Sequence, residues 1–393
     1  DSHDSVGGLW DIKNDHSSVY KSAHLISSKK KTEFEEFPMK DEVVDYPSHK
    51  DLCQYFNDFA DHFKLRENFK FNSKVLKISQ NEDETWNLST KDEQYQFAGV
   101  VIANGNLSEP NIPEFPGNFS GDIIHSKKYK NPEVFKNKKV LVIGAGNSGC
   151  DIVVDAVHYA ELVDISVRRG YHFVPKYILG KPADTIGGMI KLPFKIKQFV
   201  DSKILSLFTG NPERFGFPQA DHKLYESHPI VNSLILHHIG HGDIRVQKGI
   251  EKFEGKFVHF KDGTSKEYDL ILLATGFKLH YPFIDKKHLN LKGNTPELFM
   301  NIFPPTKNLY FIGLLEALGI GWQGRYEQGA LIAKLALAKK ENKNLYENFL
   351  NIQKKKLDLT GGINYLKIDR MAYYVNKDFY LKKLTELKKI LES

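Results

Sequence analysis

Apolar residues in this chain gather into short runs that end on glycine or on polar turns. The clearest case is residues 139–170, KVLVIGAGNSGCDIVVDAVHYAELVDISVRRG. Residues 140–143 are continuously apolar, the pattern of a strand buried on both faces. Beyond them Ile152, Val153, Ala156 and Val157 recur at helical spacing, and residues 163–167 read as a second strand. Between first strand and helix stand Gly144, Gly146 and Gly149, spaced G-x-G-x-x-G. Strand, glycine turn, helix and strand in that order form a βαβ dinucleotide unit. Gly144 serves the tight turn, Gly146 the approach of a pyrophosphate to the backbone, and Gly149 close packing of the helix. The helix N-terminus adds free N–H groups and the positive end of its dipole.

Similar patterning predicts the rest of the chain. Leu52, Tyr55, Phe56, Phe59 and Phe63 lie at helical spacing behind Ser48, a candidate N-cap. Residues 75–78, 85–89 and 94–97 read as a small antiparallel sheet. Residues 100–102 form an apolar strand entering Ala103-Asn104-Gly105-Asn106. Residues 270–273 repeat that form, entering Ala274-Thr275-Gly276-Phe277, and suggest a second, related nucleotide unit. Further strands are expected within 244–268, with a hairpin turn at Asp262-Gly263, and at 309–312 before Gly313. A helix is expected over 322–337. Residues 171–240 form an irregular insert whose lysine-rich stretch, 191–207, reads as a solvated amphipathic surface or a membrane or subunit contact. Near the C-terminus, Leu381, Leu384, Leu387 and Leu391 predict a packing helix, with an oligomer contact as the alternative.

Composition narrows the class. The 393 residues are 41% hydrophobic, enough for two or more cores. No apolar run approaches the length of a membrane-spanning helix. Cys53 and Cys150 cannot build a disulfide framework. We expect a cytoplasmic protein with no metal site. The net charge of +6 suits phosphate-bearing cofactors and does not call for nucleic acid. Arg168 and Arg169 follow the second strand, where an NAD site usually carries an acidic residue. Arginine suits a 2′-phosphate, so NADP(H) is expected over NAD(H).

Residues 119–129, FSGDIIHSKKY, have the form F-x-G-x-x-x-H-x-x-x-Y. This resembles the identifying motif of the flavin-containing monooxygenases, of the bacterial type. Gly7-Gly8-Leu9-Trp10, the stretch Gly144 to Asp151, and Ala274-Thr275-Gly276-Phe277 also resemble that family's blocks, in its order. The resemblance runs to about residue 340. It implies an α/β fold with two Rossmann-like dinucleotide-binding domains, a discontinuous FAD domain and an NADPH domain inserted into it. The corresponding division is 1–134 and 273–345 for FAD, 135–272 for NADP(H), and 346–393 for a C-terminal helical region.

The implied chemistry is an NADPH- and FAD-dependent monooxygenation. A C4a-hydroperoxyflavin passes one oxygen atom from O2 to a soft nitrogen or sulfur nucleophile on a small molecule. A Baeyer–Villiger reaction on a ketone is the nearest alternative, and a truncated, non-catalytic NADP-binding module is an alternative of another class. The resemblance places Gly7, Gly8, Leu9, Trp10, Asn104 and Gly105 on the flavin side. Gly144, Gly146, Asn147, Ser148, Gly149, Asp151, Arg168 and Arg169 fall on the NADP(H) side. Thr275 and Gly276 belong to the domain crossover. Gly121 and His125 belong to the identifying motif, His125 as an orienting or a purely structural residue.

Two departures carry expectations of their own. The family has an Asn beside the flavin, in a block resembling S-N-x-x-K. Here the nearest stretch is Leu25-Ile26-Ser27-Ser28-Lys29, where Ile26 or Ser27 takes the place of the Asn; the Ile side chain cannot hydrogen-bond and Ser can only in part, so Ser27 is the candidate catalytic residue. The family also opens with its own G-x-G-x-x-G turn for FAD, which this sequence lacks. We therefore expect a fragment, truncated at its N-terminus. A homodimer is a further expectation.

Overall fold

The βαβ unit of residues 139–170 lies at the centre of the fold. A computed structural model describes residues 1–186 and 192–392; of the lysine-rich stretch in the insert, Lys191 falls outside them. The first long helix, α1 (His49–His62), starts as its sequence predicts. The Ser48 hydroxyl accepts from the Asp51 N–H, and the Asp51 carboxylate accepts from the Ser48 N–H. An antiparallel meander follows: β1 (Lys77–Gln80), β2 (Trp86–Ser89) and β3 (Gln94–Phe97). The chain continues through β4 (Val100–Ile102), β5 (Gly117–Phe119), β6 (Asp122–His125) and β7 (Lys139–Ile143), then α2 (Asn147–Ala156) and β8 (Leu162–Ser166).

The insert contributes α3 (Phe194–Thr209) and α4 (Leu234–His241). Next come β9 (Ile244–Gln247), β10 (Ile250–Gly255), β11 (Phe257–Phe260), β12 (Ser265–Glu267) and β13 (Leu270–Leu273). The last elements are β14 (Leu309–Phe311), α5 (Gln323–Glu341), α6 (Lys343–Gln353) and α7 (Lys377–Ile390).

Five parallel strands build the main sheet in the order β9-β8-β7-β13-β6. The run 140–143 is central, and Val140, Leu141 and Val142 have no exposed surface. One face of the sheet packs on α2 and α4 through Val140, Val142 and Ile165. The other face packs on β10 and β11 through Leu141, Ile143 and Ile271. The edge strand β6 comes from the F-x-G-x-x-x-H motif, so the sheet draws on residues ahead of 135. Within that motif, residues 122–125 form a strand.

A second parallel pair joins β4 to β14. Its core continues into a cluster of α5, α6 and α7 that buries Leu331, Leu335, Phe349, Leu384 and Leu387. Among the described residues no helix is long and apolar enough to cross a membrane.

Candidate nucleotide-binding site

At the C-terminal end of β7 the three glycines have three physical roles. Gly144 turns with φ of +106°, and a Cβ there would lie 2.6 Å from the Ala274 carbonyl oxygen. A Cβ on Gly149 would lie 2.0 Å from the Gly144 carbonyl oxygen, so only glycine lets α2 sit this close to the strand. Gly146 differs, since a Cβ there would meet no atom within 4 Å. It is the N-cap of α2, and among the described residues no side chain caps the helix. The first intrahelical bond runs from the Cys150 N–H to the Gly146 carbonyl, 2.9 Å. Among the described residues the N–H groups of Asn147, Ser148 and Gly149 have no hydrogen-bond partner, as expected of the first turn of a helix. Phosphates of a dinucleotide fit this arrangement, by partial charge and by room.

The side chains around the turn serve varied ends. Ser148 is exposed. Asn147 reaches sideways: its amide donates to the Pro229 carbonyl (3.1 Å) and its Oδ1 accepts from the Val231 N–H (2.8 Å). It thereby holds the insert against the helix start, a role with no local sequence signal. Asp151 was expected on the cofactor, and the structure gives it other partners. Its two oxygens accept from Asn232 Nδ2 (2.6 Å) and Tyr20 Oη (3.1 Å). Burial pushes its carboxyl pKa up, against those hydrogen bonds and the nearby Lys176 charge. Asp151 ties α2 to the N-terminal segment and to the insert.

Arg168 and Arg169 part company. Arg169 Nε lies 2.9 Å from Asp221 Oδ2, so its charge is compensated from within the chain. Arg168 is exposed and makes no hydrogen bond or ion pair among the described residues. Cys150, in the first turn of α2, is buried, and burial drives its thiol pKa well up.

The motif of residues 119–129 meets the turn after β13 at His125. Its Nε2 donates to the Gly276 carbonyl (3.1 Å) and its Nδ1 accepts from the Lys127 N–H (3.1 Å). The ring packs edge-on against Phe277. A ring that donates through Nε2 and accepts at Nδ1 is the neutral tautomer, and burial lowers its pKa in the same sense, so it acts as a fixed connector. Thr275 Oγ1 donates to the Asn111 carbonyl, and the Asn111 N–H donates to the Gly276 carbonyl, 2.9 Å. Gly121 was also expected among the cofactor residues. A Cβ there would lie 2.5 Å from the Asp269 carbonyl oxygen, so its physical need is backbone packing beside β13.

A second pair of turns stands at the C-terminal ends of β4 and β14. The Ile312 N–H donates to the Ile102 carbonyl (3.0 Å), which sets Asn104 and Gly105 beside Gly313. A Cβ at Gly105 or Gly313 would meet no atom within 4 Å. Asn104 Nδ2 donates to the His280 carbonyl, 3.1 Å. Gly313 was not singled out from sequence, though the strand before it was. Gly7 precedes a single 3-10 turn, Gly8–Trp10, that carries Leu9 and Trp10 and lies against α1; a Cβ on Gly7 would be 3.0 Å from Cys53 Sγ.

Ser27 shares a hydrogen bond with Thr32 Oγ1, 2.7 Å. Nearby Lys29 is buried, its ammonium donating to the carbonyls of Lys40, Asp41 and Val43. This stretch closes a loop, and its lysine is structural. A cavity of about 610 Å³ opens beside the ends of β6 and β13, with Ile112 and Ile123 among its apolar walls and Lys13 and Lys127 among its cations.

Sheet, turn and uncapped helix define the class, an α/β protein built around a Rossmann-type βαβ unit. The chain belongs to the flavin-binding monooxygenase-like family, whose model matches residues 1–384. Flavin-containing monooxygenase 5 of Oryctolagus cuniculus is 29% identical over 344 residues, covering 80% of this chain and 64% of that protein. The chain thus spans about two thirds of such a relative, 64% of its length. Among solved structures, Tmm from Pelagibacter sp. aligns over 100% of this chain and 82% of its own, with TM-score 0.65 and 19% identity. Cyclohexanone monooxygenase in its open form aligns over 100% of this chain and 91% of its own, with TM-score 0.69 and 17% identity. At these identities the structural likeness is one of fold.

Proposed function

We propose that this chain carries the nucleotide-handling core of an NADPH- and FAD-dependent monooxygenase acting on a soft nitrogen or sulfur nucleophile of a small molecule. The observation that carries the reading is the uncapped start of α2 above the open space at Gly146. Family membership supplies the flavin. In this reading the unit from about 135 to 272, with β6 added, is the NADP(H) half. The free N–H groups of Asn147, Ser148 and Gly149 hold the pyrophosphate, and Arg168 faces the 2′-phosphate. The turns at Gly7 to Trp10, Gly105 and Gly276 serve the flavin side.

When bound, the flavin supplies the activation of O2, and NADPH supplies the electrons. The chain's own residues position the two halves. His125 fixes the crossover through Gly276, and burial, which lowers its pKa, favours the uncharged ring that makes this bond. Asn147 and Asp151 hold the insert over the turn.

The test is Gly146→Ala. A methyl group there meets no protein atom, and the backbone (φ −71°, ψ 176°) is open to alanine. The melting temperature is expected to stay within about 2 °C of wild type, while NADPH binding weakens about tenfold or more as the cradle fills. Unchanged NADPH affinity would remove the turn from the site. Oxygen uptake with NADPH and FAD, driven by a thioether or tertiary amine in preference to a ketone, tests the reaction assigned.

A further inference from the structure

The two arginines that close β8 differ in what surrounds them. Gly170, just beyond, packs on the insert so closely that a Cβ would lie 2.1 Å from the Pro218 carbonyl oxygen. That contact brings Asp221 onto Arg169. Arg168 is left with an uncompensated charge.

The same loop runs on to meet the segment that precedes α7. The Leu366 N–H donates to the Glu226 carbonyl, 2.9 Å. His228 Nδ1 is hydrogen-bonded to Tyr374 Oη. Between these two anchors lies the turn Asp369–Met371, which buries Met371 and leaves Arg370 exposed. Arg370 makes no hydrogen bond or ion pair among the described residues. On its other side the loop is held by Asn147, at the first residue of α2. One loop therefore ties together the free helix N-terminus, Arg168 and Arg370.

The electrostatics agree with this placement. Burial pushes the Tyr171 hydroxyl pKa up, and the charges of Arg169, Arg168 and Arg370 all act on that hydroxyl in the opposite sense. Two guanidinium groups without counter-charges, converging on one zone, repel each other unless an anion comes between them. A phosphate dianion answers that need, and the planar fork of arginine suits it.

We propose that Arg370, from the C-terminal segment, joins Arg168 in a clamp on the 2′-phosphate of NADP(H), with Arg169 held out of the clamp by Asp221. Arg370 is then a specificity-determining residue supplied from far downstream of the βαβ unit. This rests on the NADP(H) reading of the α2 turn.

The experiment measures dissociation constants of NADPH and NADH by quenching of tryptophan fluorescence, for wild type, Arg370→Gln and Arg370→Lys. Arg370→Gln is expected to weaken NADPH about tenfold or more, the value of one charged hydrogen-bonded contact, and to change NADH less than about twofold. Arg370→Lys keeps the charge without the fork and falls between. Because Arg370 is exposed, the variants retain the wild-type melting temperature. Wild-type protein that binds NADPH no more tightly than NADH overturns the NADP(H) reading and the clamp with it. Wild-type selectivity that survives Arg370→Gln overturns the clamp alone.

Discussion

Asp164 shows how much a single side chain decides here. It lies within the apolar run that predicted β8, and it has no exposed surface. Its Oδ2 accepts from Tyr268 Oη (2.6 Å), Lys266 Nζ (2.8 Å) and Gln247 Nε2 (2.8 Å), while Oδ1 has no partner among the described residues. A buried carboxylate is tolerable only with such donors. Tyr268→Phe keeps the ring and removes one of them. We expect a loss of about 1–3 kcal/mol, read as a lower urea midpoint at unchanged slope. An unchanged midpoint would mean that the phenol contributes nothing to holding the carboxylate. No local pattern in residues 163–167 announces this requirement, because all three donors come from β9, β12 and the residues just after it.

At the scale of elements, α7 and α3 answer opposite expectations. The leucine spacing near the C-terminus predicts a packing helix, and α7 buries Leu384 fully and Leu387 nearly so, with Leu391 at its C-cap, in one cluster with Leu331 and Leu335 of α5. That face is occupied within the chain. Leu384→Ala is expected to cost about 2–5 kcal/mol, through lost burial and the cavity left behind, and a thermal or chemical melt measures it. A loss below about 1 kcal/mol would show that α7 packs only loosely.

For α3 the expected solvated, lysine-bearing surface also exposes apolar residues. Phe199 is 63% exposed and Leu207 84%, while Gln198 is buried, its amide donating to the Leu224 carbonyl at 2.7 Å. Among the described residues the helix buries only Gln198, so periodicity alone does not tell which face is covered.

At the scale of the molecule, the insert and the C-terminal segment meet at His228 and Tyr374. Burial, with Arg370 second, pushes the His228 pKa down from 6.5 to about 3. His172, His49 and His125 shift the same way, burial first in each. A folded-state pKa below the unfolded value means the unfolded chain takes up the proton first. The stability from His228 is therefore complete above about pH 6.5 and is lost as pH falls toward 3, by at most about 1.4 kcal/mol per pH unit for one group. Denaturation midpoints measured from pH 7 to 5 lie above the range where most carboxylates titrate. The wild-type midpoint is expected to fall across that window, and that of His228→Gln to fall less steeply. A flat wild-type profile would contradict a buried neutral His228.

The sequence by itself determined the features whose causes are local. The G-x-G-x-x-G spacing, the apolar run before it and the helical period after it place a strand, a turn and an uncapped helix. The reasons lie within a few residues of each glycine: a positive φ at Gly144, contact with the Gly144 carbonyl at Gly149, and room at Gly146. The Ser48 cap and the α7 leucines were legible for the same reason. The motif of residues 119–129 carried the family, which the match over residues 1–384 establishes.

Tertiary structure alone decided which charges remain free. Arg168 and Arg169 are neighbours in the chain, and Asp221 neutralises one of them. Asp151 is taken by Tyr20 and Asn232, and β6 joins the far edge of the sheet beside β13. Each outcome depends on which distant segment arrives, and on the counter-charge or donor it brings. Hydrophobic period fixes a segment's own conformation, but compensation of charge is a property of the pairs that folding brings together.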